Sequence, residues 1–308
     1  MKSFYLLMVA WYVGAGVFAA QGNGKFQLHF MDVGDGDGAV LISPKGEVVL
    51  FDDGVEGNCD LPLSYLLNLG ITKIDYHITS HYHADHIGCA GRIFDHFPVQ
   101  KAVYDRGGTY DSKAFNNYLI ASLAKRQTAK VGEKIILDKD SSQPVVIEFV
   151  ALNGAGVKPT GEENNLSLVS VIHFGKLDIE MGGDLSGVND GQFRDIETLV
   201  APKVGQVEVF KVHHHGSKYA TNNLWLSILH PKVAIISTGG TAHNPDSQCL
   251  NRLHLHDIKT YWTERGNGAK PNAMWDRIGG NIVIVCEPGC DTFTVNYANQ
   301  CVDSYQVW

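Results

Sequence analysis

Residues 80–88 read Ser-His-Tyr-His-Ala-Asp-His-Ile-Gly, an H-x-H-x-D-H array made by His81, His83, Asp85 and His86. Neutral imidazoles and carboxylates are the ligands that zinc and neighbouring divalent metals take. A tight loop can aim His81 and His83 at one cation. Asp85 and His86, opening the next turn, can aim at a second. Even with 14 histidines in 308 residues, chance produces this pattern in roughly one such chain in five hundred. Three further segments offer the same residue types. Gly182-Gly183-Asp184 follows an apolar run, and Asp184 could bridge two cations. His213-His214-His215-Gly216-Ser217 follows another run, and His243-Asn244-Pro245 a third. Asp32, Asp37 and Asp52 could accept the second N–H of ligand histidines, or serve as turn and cap carboxylates. Asn165 and Ser167 could donate to a phosphoryl oxygen, or form a plain turn. Lys211 and Lys218 flank the histidine run, where lysines are usually solvated.

The elements that must position these groups are legible in the apolar patterning. Strands are expected at 26–31, 39–42, 48–51, 74–79, 99–104, 145–152, 167–174, 177–181, 233–237, 282–286 and 292–295. Helices are expected at 61–69, from His86 to Phe97, at 115–126 and at 224–229. Strands lead and helices follow in each half, the pattern of a layered α/β protein with packed sheets and outer helices. The candidate ligands then fall at strand ends, where such folds build their sites.

The chain resembles the metallo-β-lactamase superfamily. Within it, the chain looks like the branch that holds competence-protein hydrolase domains and teichoic-acid phosphorylcholine esterases. The resemblance rests on Met31 to Asp37, Ser80 to Gly88, Asn164 to Val169, Gly183-Asp184-Leu185 and His214 to Ser217. It runs from about Phe26 to Ile284 and implies a four-layer αββα sandwich with metals at the edge between two sheets. It implies that His81 and His83 hold one of two divalent ions with a histidine of the 213–215 run, His214 favoured over His215. Asp85, His86 and His243 would hold the other, and Asp184 would bridge. Zinc is the first expectation and manganese the second. Where the family usually has glutamine this chain has Asp35, and Gly38 stands where the branch often has alanine. His173 reads as a strand residue that is either packed or set behind a metal ligand, and His254 and His256 as surface.

The reaction expected from this resemblance is metal-assisted hydrolysis of a phosphodiester, a phosphorylcholine ester or a nucleic-acid-type linkage. Asp85 would orient the nucleophile, and the histidine of the 214/215 pair left off the metal, His215 if His214 is the ligand, would protonate the leaving group. A carbonyl ester, lactone or β-lactam hydrolase is the alternative enzyme. A secreted metal-binding scaffold without catalysis is the alternative of another class.

Composition excludes several other classes. With 44% hydrophobic and 19% charged residues the chain is neither disordered nor a polybasic scaffold. A net charge of −8 argues against a stable nucleic-acid complex, whose affinity comes from neutralising phosphates. Lys2, the apolar run Phe4–Phe18 and the small residues before Gln21 read as a secretory leader, residues 1–19, cleaved near Ala19 or Ala20. Residues 20–308 would then form one extracellular domain with no membrane span. Secretion permits disulfides among the six cysteines, and Cys286 and Cys290, flanking a Glu-Pro-Gly turn, invite a local bridge. The expected partner is a small-molecule or polymeric phosphoester.

Overall fold

The computed structural model describes residues 22–241 and 243–308, so the expected leader lies outside the described residues. Two sheets stack face to face. The first has nine strands, running in space from Cys301–Gln306 through Thr292–Tyr297, Ile282–Cys286, Phe26–Phe30, Gly38–Ile42, Val48–Asp53, Ile74–Ile78 and Val99–Asp105 to Arg126–Thr128. The second has eight, from Asp276–Ile278 through Lys259–Trp262, Val233–Ile236, Val209–Lys211, Leu177–Met181, Val169–Phe174 and Val145–Ala151 to Lys134–Leu137. This is the expected αββα sandwich. Its central layer buries Phe26, Leu28, Phe149, Ile172, Phe174 and Ile284 between the sheets. Helices Asp60–Asn68 and Ala90–His96 cover the outside of the first sheet; Glu197–Val204, Asn223–Leu229 and Ser247–Leu255 cover the second.

Parallel strands decide where chemistry can sit. In the first sheet Val48–Asp53, Ile74–Ile78 and Val99–Asp105 run parallel. In the second, Leu177–Met181, Val209–Lys211 and Val233–Ile236 do. The carboxyl ends of parallel strands open together at one edge, and their loops converge there. Each candidate segment follows such an end: 79–88 follows Ile78, 182–184 follows Met181, and 213–217 follows Lys211.

Three expectations differ. The helix expected from His86 to Phe97 is split into Ala84–Ile87 and Ala90–His96, and Gly88 stands at the junction, where an added Cβ would lie 2.4 Å from the Glu56 nitrogen. The helix expected to reach Arg126 ends at Ser122, and Arg126–Thr128 becomes an edge strand. The Cys286–Cys290 bridge does not form. Cys286 points into the core from its strand and Cys290 is exposed, while Cys59 and Cys89 make the one disulfide among the described residues. No helix among the described residues is long and apolar enough to cross a membrane.

Phe174 stacks on Phe26 across the central layer, with ring centroids 5.2 Å apart. Phe174→Ala leaves a cavity that two rigid sheets cannot close. A loss of about 3–5 kcal/mol in unfolding free energy is expected from urea denaturation; a loss below ~1 kcal/mol would show that the layer relaxes.

Candidate metal centre

The loops at the open edge bring ligand atoms together in groups. Asp85, His86, Asp184 and His215 form one, with ligand atoms all within 4.8 Å of one another. His81, His83 and Asp184 form a second within the same limit. Asp184 is common to both. His86 Nε2 lies 3.4 Å from Asp184 Oδ1, and His215 Nε2 lies 3.4 Å from Asp184 Oδ2 and 3.2 Å from Asp85 Oδ2. His81 Nε2 is 3.0 Å from His83 Nδ1 and 4.0 Å from Asp184 Oδ2.

These atoms fit a divalent cation. His86 Nε2, His215 Nε2 and Asp184 Oδ1 are buried and have no hydrogen-bond partner, although they face one another. Buried polar atoms in that state are costly unless something charged meets them. The ring tautomers agree. Ser80 gives its one hydroxyl proton to Asp52 Oδ2 at 2.6 Å, so it accepts from His81 Nδ1 at 3.0 Å. His86 Nδ1 donates to Asp52 Oδ2 at 2.8 Å, and His215 Nδ1 to the Ser237 carbonyl at 3.0 Å. In each ring the rear nitrogen is a hydrogen-bond donor, so Nε2 is the atom turned forward for metal ligation. Burial alone would raise the Asp184 carboxyl, but His215, His86 and His214 outweigh it and hold its pKa well below the usual range. Burial would lower His86, and Asp184, Asp85, Asp37 and Asp52 together lift it well above an ordinary histidine.

The local backbone explains the glycines. Gly36 has φ 107°, and a Cβ there would sit 2.0 Å from the Asp85 carbonyl. Only glycine lets the 34–37 loop lie against the H-x-H-x-D-H segment, where Asp37 N–H donates to Asp85 O at 3.1 Å. Gly183 has φ 56° and would clash with Ser80.

The expected second-row residues separate. Asp52 and Asp37 stand behind the rings, Asp37 lying 3.3 Å from His215 Nδ1 and 3.6 Å from His86 Nδ1. Asp32 instead closes a turn, its Oδ1 accepting from Gly34 N–H at 3.2 Å. Asp35 reaches Thr241 and not the ligand groups. Asn165 pins a neighbouring loop through Gln192 O and Arg194 N–H. Asn164 approaches His214, at 3.4 Å. Ser167 is buried, its hydroxyl without a partner.

Several expectations are corrected. His243 is exposed and belongs to none of the ligand groups among the described residues; His215 takes that place beside Asp85 and His86. His215 is therefore enclosed, with side-chain exposure of 8%, and poorly placed to meet a leaving group. His214 is the more open ring at 21%, with Nε2 3.9 Å from Asp184 Oδ2, adjacent to the His81/His83/Asp184 group but outside it. Burial pushes its pKa down to about 4, so it is neutral at pH 7. His173 is half-buried and pairs with Asp178 at 2.7 Å, apart from the centre. Lys211 is not solvated but buried. Its ammonium contacts Asp37, donates to Gly183 O at 3.0 Å and lies 3.8 Å from Asp184 Oδ1.

Sequence reasoning missed Ser80, and it missed how His213 is used. His213 donates from Nδ1 to Glu197 Oε1 at 2.7 Å and faces Glu180 Oε1 with Nε2 at 3.1 Å. Glu197 also accepts the N–H groups of Thr221 and Asn222. This buried clamp holds a turn in which His214 and His215 both take left-handed backbone angles, φ 51° and 54°. The available signal was the strand position of Glu180, an acidic residue inside an apolar run.

The chain belongs to the metallo-beta-lactamase superfamily, whose sequence profile matches residues 38–240. It is 26% identical over 292 residues to the ComE operon protein 3 of Bacillus subtilis, an alignment covering 89% of this chain and 36% of that protein. It is 28% identical over 260 residues to Recombination protein 2 of Haemophilus influenzae, covering 82% of this chain and 29% of that protein. The chain thus spans about a third of the length of these relatives. Among solved structures, a variant of CmlA, a β-hydroxylase from Streptomyces venezuelae, shares the fold at a TM-score of 0.51 and 13% identity, covering 84% of this chain and 53% of that one.

Two substitutions test the centre. Asp184→Asn keeps the shape but removes the shared charge, so metal content after stripping and reloading is expected to fall at least about tenfold by elemental analysis. Unchanged content would remove Asp184 from the ligand set. Lys211→Met leaves Asp37 buried without its counter-charge, and a loss of about 3–5 kcal/mol in chemical denaturation is expected; an unchanged midpoint would mean that Asp37 finds another partner.

Proposed function

We propose that this chain is a secreted metal-dependent phosphodiesterase working with two divalent ions, zinc first and manganese second. The observation that carries this reading is the sharing of Asp184 by two ligand groups, in one of which His86 Nε2, His215 Nε2 and Asp184 Oδ1 face one another without a hydrogen-bond partner. His81, His83 and Asp184 would hold one ion; Asp85, His86, His215 and Asp184 would hold the other. When bound, such a pair supplies a hydroxide at neutral pH and takes up charge on the substrate's non-bridging oxygen.

The chain's own residues do the rest. Asp85 is the ligand carboxylate most open to solvent, at 34%, and orients the attacking oxygen. His214, neutral at pH 7, offers a ring N–H beside the Asn164 amide, and the two can grip a phosphoryl oxygen. Asp52, Ser80 and Ser237 keep the ligand rings turned forward. Lys211 offsets the carboxylates of Asp37 and Asp184 from behind, out of reach of substrate. The branch resemblance of the sequence motifs favours a phosphodiester over a carbonyl substrate, and the Cys59–Cys89 disulfide suits an oxidising compartment.

Metal-loaded protein is expected to turn over bis-p-nitrophenyl phosphate, and chelation is expected to abolish the activity. Chelator-sensitive turnover of a lactone or nitrocefin alone would replace this reading with the carbonyl alternative. Two bound metals with no turnover of any of these compounds would favour the scaffold without catalysis.

A further inference from the structure

A wall of aromatic rings adjoins the open side of the centre. Phe193 and Tyr219 stack with centroids 4.3 Å apart and planes at 15°. The Phe193 ring in turn lies 6.0 Å from His214, tilted by 44°. Phe193 and Tyr219 are only half-buried and belong to none of the hydrophobic clusters that hold the fold together. Their stacking is therefore not explained by core packing.

The wall is also held in place. The loop that carries Phe193 is pinned from both sides of one buried amide: Asn165 Nδ2 donates to Gln192 O at 2.9 Å, and Asn165 Oδ1 accepts from Arg194 N–H at 3.0 Å. Thr160 Oγ1 donates to the same Gln192 carbonyl. The Arg194 guanidinium folds back on the carbonyls of Gly191 and Phe193, at 2.9 and 2.7 Å. A half-exposed aromatic residue on a loop fastened this way presents a fixed face. Lys218 adds a positive charge 4.9 Å from the Tyr219 ring, which suits an anionic substrate on this side.

We propose that Phe193 and Tyr219, with Asn165 as the positioning residue, form the specificity surface of the site, and that it selects phosphodiesters carrying a planar ring on the His214 side. The inference rests on the phosphodiesterase reading and adds the class of substituent. A ring laid along this wall gains stacking that a small alkyl group cannot, worth roughly three- to tenfold in affinity.

The test uses the metal-loaded full chain. Binding of monoethyl phenylphosphonate and monoethyl methylphosphonate is measured by calorimetry, and turnover of phenyl and methyl p-nitrophenyl phosphate by absorbance. The wild-type protein is expected to prefer the phenyl member of each pair by about three- to tenfold. Phe193→Ala is expected to collapse the preference toward one, Asn165→Ala to weaken it, and Phe193→Tyr to retain it, with metal content unchanged throughout. A preference that survives Phe193→Ala overturns the inference, as does failure of the phenylphosphonate to bind. A Phe193-dependent preference in binding without turnover of either diester would leave the wall standing and remove the phosphodiesterase reading instead.

Discussion

One buried carboxylate, Asp184, sets the terms for the rest of the site. It lies at the end of an inner strand among His81, His86, His214 and His215, with Lys211 behind it. A carboxylate removed from water must be met by charge or by hydrogen bonds. Here several imidazoles and an ammonium meet it, yet one of its oxygens still has no hydrogen-bond partner. Such an arrangement is costly unless a cation completes it, and the forward-turned rings supply the coordination that a divalent cation prefers.

Two rigid sheets make that arrangement repeatable. The centre draws on carboxyl ends from both sheets, so its geometry depends on their face-to-face packing as much as on any loop. Glycine permits the close approaches, at Gly36 against Asp85 and at Gly183 against Ser80. Behind the ligand rings, Asp52, Ser80 and the Ser237 carbonyl set the tautomers, and the Glu180–His213–Glu197 clamp carries the left-handed turn of His214 and His215. Strain of that kind persists only where surrounding contacts over-determine it. The outer loops are fastened separately, as Asn165 fastens the one that carries Phe193.

Much of this was legible in the chain. The strand–loop order, the H-x-H-x-D-H array and the Gly-Gly-Asp end of Leu177–Met181 are local patterns, and local patterns survive being read alone. The αββα architecture followed from them by resemblance. The short strands Lys259–Trp262 and Asp276–Ile278 were not legible, since a three- or four-residue run without a motif at its end carries too little periodicity to register. The Cys59–Cys89 pairing escaped as well. Six cysteines allow fifteen pairings, and only spatial proximity selects among them.

The sequence by itself determined which residue types stand at the strand ends and in what order, because ligand chemistry and strand patterning are properties of neighbouring residues. It could not decide which histidine of three consecutive ones faces the centre. That depends on a turn with two left-handed residues, and on two glutamates from distant segments that draw His213 away. Nor could it decide that Lys211 is buried or that His243 stays outside. Burial is a property of what packs against a side chain, and here that is the opposite sheet.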